Sequence, residues 1–300
     1  MRVLVSGSSG LIGSVLCEVL NRAGHTVLHL VRPQSRDMRP ANGAVGWNPI
    51  SGAFDGAKAE GADAVVHLAG ASIAQRWSAE YKQTLRSSRV DATRHLVSEL
   101  AKLSRPPKVF IGGSAIGYYG NRGDEQLTEQ SAPANDFLGE MSQAWEAEAA
   151  KAAAFGARVV HLRTGIVLAR QGGALGKMLP PFKMGVGGVV GSGKQWMSWI
   201  GMEDIVGVIL YLLENSDAKG PVNAVAGAAT NREFTKALGK VLSRPTIFPL
   251  PAFVARIAFG EMADALLLGS QRVIPARLQQ LGYKFVHPTL DAALRFALRP

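Results

Sequence analysis

Three hundred residues give enough chain for a large domain with a real core, and a hydrophobic content of 47% is ordinary for an α/β protein that faces water. The formal charge of +10 comes from scattered arginines and lysines with no basic block interleaved with aromatics. That pattern argues against a nucleic-acid partner and leaves a positive field suited to steering in a polyanionic small molecule. The single cysteine, Cys17, excludes an internal disulfide and makes a reducing, cytoplasmic setting the expectation.

The first strand reads as beginning at residue 2, so no signal peptide is expected. The apolar run Ile205–Leu213 is too short to span a bilayer, and Ala252–Leu268 is interrupted by Arg256, Glu261 and Asp264. The expected partner is a small-molecule substrate, with no membrane and no nucleic acid.

In chain order, Val3–Val5 reads as a buried parallel strand that enters a turn with glycines at 7, 10 and 13, and an amphipathic stretch follows over Leu11–Ala23. Gly7 permits the tight turn, Gly10 lets backbone N–H groups approach a pyrophosphate, and Gly13 lets the helix pack closely on the strand. Such spacing recurs by chance, but directly after a strand and at a helix start it marks a dinucleotide cradle.

Thr26–Val31 reads as the second strand, Ala44–Trp47 as a short third and Asp63–Leu68 as a further buried strand. Ala79–Leu103 carries helical periodicity, Lys108–Gly112 is extended, Asp136–Phe155 is a helix capped by Asn135 or Asp136, and Arg158–Leu162 is the next strand. Residues 170–193 hold many glycines around Pro180-Pro181 and read as a functional loop or lid. The helix Glu203–Glu214 and the strand Pro221–Val225 return to the sheet, and the chain from Asn231 is mostly helical.

The order predicts an α/β fold, a doubly wound parallel (Rossmann) sheet with a small helical C-terminal subdomain on the substrate side. The expected divisions are a dinucleotide-binding domain over 1–165, a glycine-rich loop and returning elements over 166–230, and the helical subdomain over 231–300.

The end of the second strand, Leu30-Val31-Arg32, carries a guanidinium, with Arg36 close behind and no carboxylate before Asp37. An acidic residue there would bind the ribose hydroxyls of NAD, whereas an arginine fork can grip a 2′-phosphate. The sequence therefore favours NADP, the alternative for Arg32 being a solvated surface arginine.

Several segments resemble the extended short-chain dehydrogenase/reductase superfamily: Gly-Ser-Ser-Gly-Leu-Ile-Gly at 7–13, His67-Leu68-Ala69-Gly70, Gly113-Ser114-Ala115 followed by Tyr119-Gly120, Leu162-Arg163-Thr164-Gly165, and Trp199-Ile200-Gly201-Met202-Glu203-Asp204. Closer still, Gly172–Trp199 and Phe248–Leu298 resemble the atypical subfamily of epimerase family proteins. The second stretch carries that likeness in Gly269-Ser270-Gln271-Arg272-Val273-Ile274-Pro275 and Leu281-Gly282-Tyr283.

The resemblance implies an NADP-binding fold with cofactor contacts from Gly7, Ser9, Gly10, Leu11, Ile12, Gly13, Val31, Arg32, Leu68, Ala69, Gly70, Arg163 and Thr164. Arg89 aligns with an asparagine near the cofactor in that superfamily, against a surface ion pair as its alternative, and Thr84 is a further candidate on the same helix.

Hydride transfer in this superfamily uses a Tyr-x-x-x-Lys pair, in which the lysine lowers the phenol pKa. Four residues after Tyr81, Tyr118, Tyr119, Tyr211 and Tyr283 stand Leu85, Arg122, Gly123, Asn215 and His287, and none is lysine. The corresponding helix start reads Asp136-Phe137-Leu138-Gly139-Glu140-Met141, placing Phe137 and Met141 where the pair should be. Ser114 at a strand end, Tyr118 and Tyr119 remain as catalytic candidates, each with a packing or turn-forming alternative. Lys177, Lys183 and Lys194 are possible substitute cations, and His67 reads as a structural hydrogen-bonding partner.

The six histidines (His25, His29, His67, His95, His161 and His287) show no paired ligand spacing, so no metal is expected. The reading is an NADP(H)-binding oxidoreductase or epimerase whose nicotinamide lies between Ser114 and the Gly165 region, roofed by residues 172–199. The rival is a cofactor-binding, non-catalytic redox sensor or scaffold, favoured by Phe137 and Met141.

Overall fold

In the computed structural model, which describes residues 1–32 and 43–299, the chain enters the core at once through β1 (Arg2–Ser6), whose Val3, Leu4 and Val5 are wholly buried. Helix α1 (Leu11–Arg22) then buries one stripe, Gly13, Leu16, Cys17 and Leu20, because those positions recur at helical spacing. β2 (Thr26–Val31) has the expected bounds, and β3 (Ala44–Gly46) is a short edge strand. A single turn, α2 (Gly56–Ala59), leads into the fully buried β4 (Ala64–His67).

The periodic stretch after residue 79 is two helices, α3 (Ala79–Ser87) and α4 (Val90–Leu100), and not the single one its periodicity predicts. Tertiary contacts make the break. The Ser88 hydroxyl accepts the Ala71 N–H at 3.0 Å, and the Arg89 guanidinium donates to the carbonyls of Leu85 and Ala71 at 3.2 and 2.9 Å.

β5 (Val109–Ala115) runs into a 3-10 turn over Ile116–Tyr119, then β6 (Gln126–Leu127) and α5 (Phe137–Ala150), capped by Asp136. The last part of the predicted helix, Lys151–Phe155, tightens to 3-10. β7 (Arg158–Thr164) and β8 (Ile166–Leu168) follow.

The segment expected to be a glycine-rich loop contains helix α6 (Gly173–Lys183). Its buried Leu175, Leu179 and Phe182 stand four and three residues apart, and that apolar face overrides the glycines and the Pro180-Pro181 pair. β9 (Trp196–Gly201), α7 (Met202–Glu214), β10 (Gly220–Ala224) and β11 (Gly227–Thr230) come next. The C-terminal part is mostly helical: α8 (Asn231–Leu242), with a Thr230–Glu233 capping box, α9 (Ala252–Phe259), a π-helical turn over Ala263–Leu268, β12 (Arg272–Val273), α10 (Ala276–Gln280) and α11 (Leu290–Ala297).

The main sheet has the order β10-β7-β5-β4-β1-β2-β3, and every pair is parallel. Helices cover both faces, α1 and α7 through Leu16, Leu20, Ile205 and Ile209, and α4 and α5 through Leu96, Leu100 and Ala149. Strand order reverses between β1 and β4, and sheets of this kind open a ligand crevice outside the strand ends at such a point. A second sheet, β11-β9-β8, and the two-residue pairing of β12 with β6 tie the C-terminal part to the strand-end loops. No helix among the described residues is long and apolar enough to cross a membrane, and none of their acidic, His or Cys side chains group as a metal site.

Candidate functional site

At the switch point β1 hands over to α1 through the glycine turn. Gly7 has φ +69°, in the left-handed region, and a Cβ there would stand 3.0 Å from the Ala69 nitrogen. A Cβ on Gly13 would lie 2.1 Å from the Gly7 carbonyl oxygen, so this glycine lets helix and turn interlock. Gly10 is the N-cap of α1 and offers no side-chain cap, leaving the first N–H groups of the helix to a ligand. Ser9 and Gly10 are exposed, and Leu11 and Ile12 half-buried. These features suit a pyrophosphate: a positive helix end, free donors and no Cβ in the way.

The second wall of the cradle is the end of β4. The Ser6 hydroxyl accepts the N–H groups of Leu68 and Ala69, both at 3.1 Å, so its own proton goes to His67 Nδ1 at 2.6 Å. His67 Nε2 then carries the remaining proton, donated to Thr93 Oγ1 at 3.0 Å, and Trp145 Nε1 donates to the same oxygen at 2.9 Å. Burial pushes His67 down to about 4. This neutral imidazole pins the strand end in place.

Val31 is half-buried and Arg32 exposed at the end of β2, while Arg36 and Asp37 lie outside the described residues. Gly70 is exposed, and a Cβ on it would stand 3.2 Å from Arg89 Cζ, so Arg89 closes behind this corner and stacks over Trp145. Thr84 is exposed on α3, its hydroxyl bonded to the Glu80 carbonyl at 3.1 Å. The structure thus gathers the glycine turn with residues 68–70 and leaves Thr84 turned to its own helix.

Across the strand ends of β5 and β7 lies a buried polar array. Ser114 donates to Glu146 Oε1 at 2.6 Å, and Arg163 meets both oxygens of that carboxylate at 2.8 Å. Arg163 also donates to the Tyr119 hydroxyl at 3.0 Å, and Tyr119 donates to Asn223 Oδ1 at 2.6 Å. The guanidinium carbon stands 3.5 Å from the centroid of the Tyr118 ring. Burial raises Tyr119 to about 12 despite the opposing charge of Arg163, so its phenol holds its proton at neutral pH. Arg163 itself is 3% exposed with its guanidinium consumed here, while Thr164 is half-buried at the strand end. Tyr118 is half-buried, and its hydroxyl makes no hydrogen bond among the described residues.

A cavity of about 260 Å³ opens beside this array, between the Trp77 loop, the start of α5 and the π-helical turn. Phe137 lines it, its ring meeting that of Trp77 edge-on at 5.5 Å. Met141, 3% exposed, sits behind Phe137 in an apolar cluster with Leu85, Leu138 and Met262. Among the substitute cations, Lys177 donates to the Ala74 carbonyl at 2.6 Å, which lays α6 over the Trp77 loop. A Cβ on Gly172 or Gly173 would meet the Leu11 side chain, which brings the start of α6 over the cradle.

Sequence reasoning missed Glu146, Trp77, Asn223 and the acidic residues of the C-terminal wall. One signal was present for Glu146. Arg163 sits in an apolar strand, and a buried guanidinium requires a carboxylate partner.

Known proteins are similar to this chain in sequence and in fold. The NAD dependent epimerase/dehydratase family matches residues 3–226, and a domain of unknown function, DUF1731, matches residues 250–297. An epimerase family protein of Mycobacterium leprae is 42% identical over 298 residues, covering 98% of this chain and 95% of its own. The crystal structure of the human epimerase family protein SDR39U1 (isoform 2) with NADPH superposes with a TM-score of 0.89 at 36% identity, over 99% of each chain. At the level of fold alone, the UDP-glucose 4-epimerase of Thermus thermophilus, in complex with NAD, gives a TM-score of 0.75 at 18% identity, over 99% of this chain and 97% of its own. Matched over most of its length by the family and by relatives of this similarity, the chain belongs to the NAD dependent epimerase/dehydratase family.

Proposed function

We propose that this protein binds NADPH and acts as an oxidoreductase or epimerase on a small-molecule substrate. The observation that carries the reading is the uncapped N-terminus of α1 above the Gly7–Gly13 turn, set at the switch point of the sheet. Arg32, exposed where a carboxylate would select NAD, supports the phosphorylated cofactor, as does the NADPH of the human relative. With Cys17 its single cysteine, the chain holds no internal disulfide, which suits a reducing cytoplasm.

When bound, the cofactor supplies or removes a hydride. The chain's own groups then bind, orient and handle protons. Glycines 7, 10 and 13 with Ser9, Leu11 and Ile12 hold the pyrophosphate end, Val31 and Arg32 the adenosine end, and Leu68, Ala69 and Gly70 the adjoining wall. Ser114 gives its proton to Glu146, so towards a substrate its oxygen presents lone pairs and orients a hydroxyl. Tyr118 carries the uncommitted phenol and is the proton donor or acceptor of this reading, while Tyr119 and Arg163 hold it in position.

A second reading, cofactor binding without turnover, draws on Phe137 and Met141, which put apolar groups where a phenol and an ammonium would serve. Fluorescence titration with NADPH, followed by solvent exchange at the nicotinamide C4 position, tests both. Absence of NADPH binding at millimolar concentration overturns the cofactor reading. Binding without exchange, or without oxidation by a panel of carbonyl compounds, favours the scaffold.

A further inference from the structure

From the walls of the cavity we infer that its ligand is a small donor-bearing molecule, uncharged or cationic, with one apolar face, and is not a nucleoside diphosphate sugar. The inference rests on the proposed function, action on a small molecule, and takes as that molecule's site this cavity, whose wall includes Gly117 and Gly120 on either side of Tyr118 and Tyr119.

Its size comes first. At about 260 Å³ the cavity falls just below the roughly 300–1,000 Å³ typical of pockets for drug-sized ligands. The apolar wall is Trp77 and Phe137, two rings packed edge to face. Aromatic faces of this kind take a flat apolar surface or a cation, and Phe137 already carries one cation, the Lys82 ammonium 5.2 Å from its ring centroid.

Charge decides the class. Among the described residues, Asp136, Glu261 and Asp264 line the cavity, and no lysine or arginine does. Lys82 is paired with Glu261, and Arg256 meets Asp264 at 2.9 Å, so these two cations are already engaged. Asp136 has no cationic partner among the described residues. One of its oxygens caps α5 through the Gly139 N–H at 2.8 Å, and the other lies where a Cβ on Gly120 would stand 2.9 Å away. Gly120, at φ +64°, is thus the residue that makes room for this carboxylate. Arg76, beside Gly260, is exposed and does not line the cavity. A diphosphate would enter a site lined by a free carboxylate and, among the described residues, by no guanidinium, the reverse of what phosphate binding uses. A hydroxyl or ammonium finds in Asp136 an acceptor, and its hydrocarbon finds the rings.

The test uses the full chain with NADPH present and a charge series on one ring: benzylamine, benzyl alcohol and benzoate, with UDP-glucose as a fourth probe, each followed by saturation-transfer NMR. Benzylamine is expected to bind about tenfold more tightly than benzoate, with benzyl alcohol between them and UDP-glucose undetected. Asp136→Asn keeps the helix cap, since asparagine caps as well as aspartate, and should bring the series within about threefold. Phe137→Ala should weaken benzylamine and benzyl alcohol together, locating them against the ring. Benzoate or UDP-glucose binding as tightly as benzylamine overturns the inference, as does an order unchanged in Asp136→Asn. NADPH affinity, titrated separately, keeps the two readings apart: a flat series on a protein that binds NADPH defeats only this inference, and loss of NADPH binding alone defeats only the cofactor assignment.

Discussion

Arg163 and Glu146 face each other through two 2.8 Å hydrogen bonds, and the arginine side chain is 3% exposed and the glutamate 11%. Opposed so squarely and so far from water, each group makes the other tolerable. Removing one partner from such a pair leaves a buried charge uncompensated, at a cost of about 3–5 kcal/mol. Glu146→Ala is therefore expected to lower unfolding stability by about that amount in urea titration, and a loss under about 1 kcal/mol would mean that the pair is open to solvent.

The two adjacent tyrosines should separate cleanly. Tyr119→Phe removes a buried hydroxyl bonded to both Arg163 and Asn223, and is expected to cost roughly 1–3 kcal/mol of stability. Tyr118→Phe should leave stability nearly unchanged, yet lower any turnover by about 10²–10⁴-fold, the usual worth of a general acid or base. Thermal unfolding and turnover measured on both variants check the assignment, and the opposite pattern would exchange their roles.

Two glycines of the cradle should fail differently. A Cβ on Gly10 would come 3.1 Å from the Gly7 oxygen, tight but tolerable, whereas on Gly13 it would come to 2.1 Å. Gly10→Ala is expected to keep its melting temperature and lose NADPH affinity. Gly13→Ala should lose both. Full NADPH affinity in Gly10→Ala would show that no ligand approaches that backbone.

Arg32→Ala is expected to weaken NADPH by about ten- to a hundredfold while leaving NADH nearly unchanged, because a charge-assisted hydrogen bond to phosphate is worth about 1.5–3 kcal/mol. Parallel titrations of wild type and variant measure it, and equal losses for the two cofactors would remove the phosphate role.

Stability should also depend on pH through His67. Its imidazole titrates near 6.5 when free and about 4 in the fold, where burial disfavours the cation. Between those values the unfolded chain binds more protons, so stability rises with pH across the window. The contribution is fully present above about pH 6.5 and is lost as pH falls towards 4, about 3 kcal/mol in all. His29 and His161 are lowered for the same reason and add in the same sense. Urea midpoints from pH 7.5 to 4.5 should fall steeply in wild type and less so in His67→Gln, and equal slopes would contradict the assignment.

The sheet strands were legible because parallel strands buried on both faces read as short apolar runs, and β2 was found to the residue. The glycine turn of the cradle was legible because its chemistry is local, confined to the first thirteen residues at one strand–helix junction. What escaped was non-local. α6 hid behind glycines and prolines because only its packing face, Leu175, Leu179 and Phe182, commits it to a helix. The Ser88–Arg89 break depends on Ala71 and Glu146 depends on Ser114 and Arg163, partners that only the fold brings together. The cavity joins Trp77, Phe137 and Asp264 from three separate segments, and no spacing rule links them.

That division has a temporal side. The cradle is complete once β1, α1 and β4 have met, all within the first seventy residues, while one wall of the cavity waits for residues 261–271. At translation rates of about 5–20 residues per second, roughly ten to forty seconds separate the emergence of the two. A nascent chain therefore exposes Trp77 for nearly all of that interval and Phe137 for about six to twenty-five seconds of it, the period in which a chaperone has most to shield.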